Sequence, residues 1–176
     1  MRVSVIITTY NRPDALLLVL KSIEHQTKLP EEVIIADDGS DDNTEKLINN
    51  YQESSSLNII HSWQEDKGFR AAKSRNKAIA ISNFEYIILV DGDMILHPEF
   101  IQDHLNNAET GYFIQGTRVL LTESRTRKTL NNSTNNFSFL SRGIRNRKNA
   151  IHSNFFSKLL SKKINHIKGI KTCNMS

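Results

Sequence analysis

Cysteine occurs once in the 176 residues, at Cys173. That excludes an internal disulfide framework and fits a reducing compartment. The six histidines, at 25, 61, 97, 104, 152 and 166, stand singly among unrelated residues; none is read as a metal ligand. No apolar run approaches the roughly 20 residues that a membrane-spanning helix needs. The opening MRVSVIITTYNRP turns polar after about five apolar residues, too few for a secretory leader. A cytoplasmic protein is therefore expected. Acid is missing from one part of the chain: residues 124–176 hold 12 Lys/Arg and no Asp or Glu, a net of +12. Residues 1–123 hold 11 Lys/Arg against 19 Asp/Glu, a net of −8. Compositions so different imply two separate jobs.

What remains is ordinary for a globular protein, 38% hydrophobic and 24% charged, and long enough to bury a core. Val3–Thr8 reads as a buried strand, short and β-branched. Pro13 suits the first turn of a helix, and Leu16, Val19, Leu20 and Ile23 recur as its apolar stripe. Glu32–Ala36 is a second strand. Asp42 with Glu45 has the spacing of a capping box, opening a helix to about Tyr51. Leu57–His61 is a weaker strand, Lys67–Ile81 a helix, Tyr86–Val90 a strand, Pro98–Asn107 a short helix and Tyr112–Leu121 a fifth strand. Alternation at these spacings predicts an α/β fold with a mostly parallel central sheet flanked by helices. Ligands of such sheets bind beyond the carboxyl ends of the strands. Three of those ends carry TTYNR, DDGS and DGD.

The loop after the first strand, TTYNRPDA, has no glycine, and no GxxxxGK[ST] occurs. Dinucleotide binding and phosphate-loop chemistry are thereby disfavoured. No nucleophile elbow supports hydrolysis. DDGS, Asp37–Ser40, reads either as a turn with capping residues or as an acceptor for a base or sugar hydroxyl. DGD, Asp91–Asp93, ends an apolar strand, where two acids repel one another unless a cation joins them. Hard divalent ions take such oxygen ligands, often together with substrate phosphates. Arg70, Lys73 and Lys77 share a helix face, with Arg75 on another. They fit a solvated face or a site for phosphate oxygens.

In order, VSVIITTYNRP, EEVIIADDGSDD, KGFRAAKSRNKAIA and YIILVDGDM resemble a family 2 glycosyltransferase of the nucleotide-diphospho-sugar transferase (GT-A type) fold, over residues 3–100. DKGFRAAKSRNKA followed by DGDM looks most like the chondroitin-polymerase and bacterial polysaccharide or lipopolysaccharide branch. The resemblance implies a UDP-sugar donor lined by Thr9, Tyr10, Asn11 and Arg12. Asp38 would read the uracil, and Arg75 and Asn76 would face the nucleotide or its diphosphate. Asp91 would touch ribose and metal, and Asp93 would ligate Mn²⁺ or Mg²⁺. The reaction implied is transfer with inversion to a saccharide or lipid-linked acceptor. The family's carboxylate base and later metal-binding histidine are expected beyond Ser176, because KGIKTCNMS resembles the start of its acceptor lobe. The catalytic base is thus unassigned, and the 176 residues are expected to bind donor and metal but to transfer sugar poorly.

Composition divides the chain after residue 123, and with what the resemblance implies the expected parts are a nucleotide-sugar-binding domain, 1–123, a basic flexible loop, 124–150, and a basic amphipathic helix opening the acceptor lobe, 151–176. Phe155, Phe156, Leu159, Leu160, Ile164 and Ile167, with Lys158, Lys162 and Lys163 between them, suit either an anionic membrane surface or ordinary packing on the sheet. A peripheral position at the inner face of the membrane follows from the first. No nucleic-acid motif accompanies the tail, so no nucleic-acid partner is expected. Two competing functions remain: a nucleotidyltransferase, which would need a glycine-rich loop after the first strand, and a non-catalytic nucleotide- or membrane-binding module.

Overall fold

Val3–Thr9 (β1) and Glu32–Asp37 (β2) are almost wholly buried along their length. Continuous β-branched runs of this kind suit strands covered on both faces. In the computed structural model, which describes residues 1–132, 137 and 140–150, they form the centre of a four-stranded sheet. Ile59–Trp63 (β3) flanks β2 and Tyr86–Asp91 (β4) flanks β1, giving the order β3-β2-β1-β4. All three pairings are parallel.

Three helices connect the strands: Pro13–Glu24 (α1), Asp42–Ser54 (α2) and Ala71–Ile81 (α3). Pro13 begins α1, and the stripe of Leu16, Val19, Leu20 and Ile23 is entirely out of water. It packs with Val3, Val5, Ile7, Val33 and Ile35 into the larger core. Each such side chain stabilises by roughly 1.5–3 kcal/mol when fully buried. Ile6, Ile34, Ala36 and Ala78 of α3 make a smaller core. A fourth helix, Phe100–Asn107 (α4), buries Ile101.

Several boundaries differ from expectation, each for a local reason. Asp41, not Asp42, caps α2, because its backbone is extended and its carboxylate accepts from the N–H of Asn43 and Thr44. α3 starts at Ala71 rather than Lys67, since Gly68 adopts φ +79° and Arg70 is the non-helical cap. β3 lies two residues later than expected and reaches Trp63. The fifth strand expected over 112–121 is reduced to Leu120–Leu121 (β5), and it is no part of the parallel sheet. Gly111, at φ +84°, interrupts the chain before it, and Tyr112 and Phe113 stand half exposed.

The chain divides into two compact units, Met1–Ile114 and a second that begins at Gln115. In the second, β5 pairs antiparallel with Ile144–Arg145 (β6). The stretch expected to be a flexible loop carries a helix, Glu123–Asn132 (α5). Its opening turn is closed by Thr126 N–H on Thr122 O and by the Glu123–Arg127 ion pair one turn apart, a spacing that supports a helix. The amphipathic helix read over 151–170 lies outside the described residues. Among the described residues no helix is long and apolar enough to cross a membrane.

Candidate functional site

Parallel pairing puts every strand's carboxyl end on one edge of the sheet. The register makes that edge a row: Trp63 beside Asp37, Asp37 beside Thr9, and Thr8 beside Asp91. The three loops singled out by sequence therefore leave from adjacent positions.

The loop after β1 is tied to the loop after β2. The Asn11 N–H donates to Ser40 Oγ at 2.9 Å, and Asn11 Oδ1 accepts from the Asp41 N–H at 2.8 Å. Asn11 adopts φ 49° to do so, a conformation asparagine tolerates better than most residues. Thr9 is buried, and its Oγ1 has no hydrogen-bond partner. The Tyr10 hydroxyl donates to Asp66 Oδ2 at 2.9 Å, and that carboxylate raises the Tyr10 pKa. Arg12 turns to Asp14, 3.1 Å away.

Asp37 and Asp38 are 1% and 3% exposed, so their charge must be matched by hydrogen bonds. Asp37 Oδ1 accepts from the N–H groups of Gly39 and Ser40, and Oδ2 from the His61 ring N–H at 2.9 Å. Burial pushes the Asp37 carboxyl up, but the bonds from His61 and Ser40 outweigh it and hold it below its ordinary value. Asp38 accepts from Gln64 Nε2 at 2.5 Å and from the Arg70 N–H at 2.7 Å. Gly39, at φ +98°, lets this turn press on the loop after β3: a Cβ there would stand 2.6 Å from the backbone of Asp66. The Trp63 indole N–H donates to Ser40 O from the rim.

From α3, Arg75 crosses the row, with Nε 3.3 Å from Thr8 Oγ1 and Nη2 3.8 Å from Asp91 Oδ1. Asn76, the next residue, is exposed, as is Asp93 in the turn after β4. Gly92 makes that turn possible. Its N–H continues the strand pairing onto Thr8 O, and a Cβ on it would lie 2.7 Å from that oxygen and 3.3 Å from the unpartnered Thr9 Oγ1. Asp91 and Asp93 supply hard oxygen donors. Among the described residues no group of three or more His, Cys, Asp or Glu is placed to hold a metal ion. An ion there would draw its remaining ligands from substrate phosphates and water, the usual habit of Mg²⁺.

Structure thus joins Asn11 to the DDGS turn and Arg75 to Asp91, and leaves Arg12 and Asn76 apart from these contacts. Sequence reasoning passed over the exit of β3, where His61, Trp63 and Gln64 hold both aspartates and their turn. The signal was available, because polar residues at a strand's carboxyl end had marked the other three loops. A third strand that ends at His61 leaves SWQED outside it.

A parallel sheet with acidic loops gathered at its carboxyl edge is the layout of the GT-A type nucleotide-diphospho-sugar transferase fold. The match to S. aureus TarS 1–349 in complex with UDP-GlcNAc agrees: TM-score 0.52 and 28% identity, covering 60% of this chain and 30% of that one. The family model for glycosyl transferase family 2 matches residues 4–166, and the chain belongs to that family. Among curated relatives it is 35% identical over 103 residues to the hyaluronan synthase of Pasteurella multocida, covering 58% of this chain and 10% of the relative. It is 33% identical over 103 residues to the chondroitin synthase of Escherichia coli, covering 58% of this chain and 15% of the relative. The chain spans a small part of the length of both.

Proposed function

We propose that this chain binds the nucleotide half of a UDP-sugar for a glycosyltransferase that builds polysaccharide or lipopolysaccharide with inversion at the anomeric carbon. The observation that carries the reading is the row at the carboxyl edge, where TTYNR, DDGS and DGD meet with Arg75 laid across them. The TarS match adds that a related sheet accepts UDP-GlcNAc.

Each residue's chemistry then has a task. Thr9, Tyr10, Asn11 and Arg12 line the pocket, with the half-exposed Tyr10 ring offering a face for the base. The Asp38 carboxylate, an acceptor only, suits the single N–H donor on the uracil ring. Arg75 and Asn76 face the diphosphate, where a guanidinium can pair bidentately. Asp91 meets the ribose and, with Asp93, holds Mn²⁺ or Mg²⁺. The donor set fits such an ion, being hard oxygens beside a turn that only glycine can make without striking Thr8 O. Bound there, the ion would neutralise charge on the departing diphosphate. Inversion also needs a carboxylate to deprotonate the acceptor hydroxyl. No acid follows Glu123 in these residues; their part is donor binding, and the base is unassigned. The acceptor is a saccharide or a lipid-linked chain, and the basic stretch 124–176 suits an anionic membrane at which a lipid-linked acceptor is held.

Calorimetry with UDP tests this. UDP affinity should rise when Mn²⁺ is added, and Asp93→Ala should remove that gain without unfolding the protein. Binding indifferent to both metal and substitution refutes the reading. It would favour a non-catalytic module built around the basic stretch 124–176.

A further inference from the structure

We propose that Gln64 is a positioning residue that fixes the Asp38 carboxylate and thereby sets the choice of base. This rests on the reading of Asp38 as the residue that meets uracil.

Gln64 is the first residue past β3, and its N–H extends the pairing with β2 onto Asp37 O. The residue is 9% exposed. Its Nε2 donates to Asp38 Oδ1 at 2.5 Å and lies 3.4 Å from Arg70 O. Both neighbours are acceptors, so the amide can point only one way; flipped, it would set oxygen against oxygen at each contact. That orientation leaves Oε1 buried without a partner. A buried acceptor left unpaired costs stability. The donor contact to Asp38, and not anything that Oε1 meets, therefore sets the orientation of the amide.

Asp38 is thereby held from three elements. Its own N–H donates to Thr9 O, the Arg70 N–H at the start of α3 fixes Oδ2, and Gln64 fixes Oδ1. Each carboxylate oxygen has a second lone pair, so a fixed acceptor direction remains for the ligand. Uracil presents N3–H, a donor, and cytosine presents N3, an acceptor. A carboxylate held rigidly welcomes the first and repels the second. One free to turn can avoid the repulsion, and discrimination then falls even where affinity survives.

The measurement is the ratio of CDP to UDP dissociation constants by calorimetry with Mn²⁺ present, alongside thermal unfolding of each variant. The wild-type chain should prefer UDP. Gln64→Met keeps the length and removes the donor; it should lower the ratio about tenfold, the size of one ordinary hydrogen bond. Gln64→Asn keeps the amide but falls short by a methylene. It should lower the ratio in the same direction, and it serves should the methionine variant not fold. A ratio unchanged in a folded variant, whether both affinities hold or fall together, overturns the proposal. If Asp38→Ala abolishes the preference while Gln64→Met keeps it, the role of Gln64 alone fails. A wild-type chain with no preference for UDP overturns both.

Discussion

Glu32, Asp37 and Asp38 lie almost wholly out of water, and none has a lysine or arginine side chain as its partner among the contacts described. Hydroxyls, amides, backbone N–H groups and one imidazole do the work. Glu32 accepts from Ser4 Oγ and from the backbone and amide of Asn83, and these bonds outweigh burial to lower its pKa. Asp37 behaves alike, which fixes the sign of its pH effect. Its folded pKa lies below the ordinary 3.8, so the stabilisation is present above that value and is lost as pH falls through the folded one. Asp37→Asn should destabilise the protein at pH 7 by about 1–3 kcal/mol, as expected when a buried hydrogen-bonded group loses its match. It should also flatten the loss of stability below pH 4. Urea unfolding of both proteins from pH 3 to 7 is the check, and parallel curves would sink the idea. None of this was legible beforehand: DDGS read as a turn or a ligand site, and Asp37 serves the turn, while the ligand role of Asp38 is what we propose.

Among the elements, hydrophobic period gave away the strands and α1, because burial on one stripe or both faces writes itself into residue type. Boundaries failed where a backbone angle or a single cap decided them, as at Gly68 and Asp41. The expected strand over 112–121 failed because an apolar run becomes a strand only when a partner strand lies alongside. α4 illustrates a property of packing alone. His104 sits edge-on to Phe100, with ring centroids 4.7 Å apart and Nδ1 3.1 Å from the Tyr86 hydroxyl. Burial lowers its pKa from 6.5 despite Asp103 beside it. The folded state therefore resists protonation. Full stability should hold above about pH 6.5 and fall as pH drops toward the folded pKa. His104→Gln, which cannot titrate, should lose less stability between pH 7 and pH 5 than the wild type does. An equal loss in both would show that the ring is not buried as described.

At the scale of the whole molecule, charge is divided much as the chain is. Residues 1–114 hold 10 Lys/Arg and 18 Asp/Glu, a net of −8, and residues 115–176 hold 13 and 1, a net of +12. A bilayer rich in anionic lipid attracts such a basic stretch by about 1 kcal/mol per cation near its surface, and salt screens the attraction. The chain should therefore sediment with vesicles containing phosphatidylglycerol at low ionic strength and be released as salt approaches roughly 0.5 M, where screening is within a few ångströms. Equal binding to neutral phosphatidylcholine vesicles, or binding insensitive to salt, would count against a membrane role.

From the amino-acid order alone came the alternating fold, the parallel sheet and the three loops at its carboxyl edge, because strand and helix periods and short crossovers leave few other arrangements. Tertiary structure decided which neighbours hold the two aspartates. His61, Gln64 and Arg70 reach them from 24 to 32 residues away. Contacts at that separation depend on strand register and on which way a side chain leaves its strand, and neither is written in any short stretch of sequence.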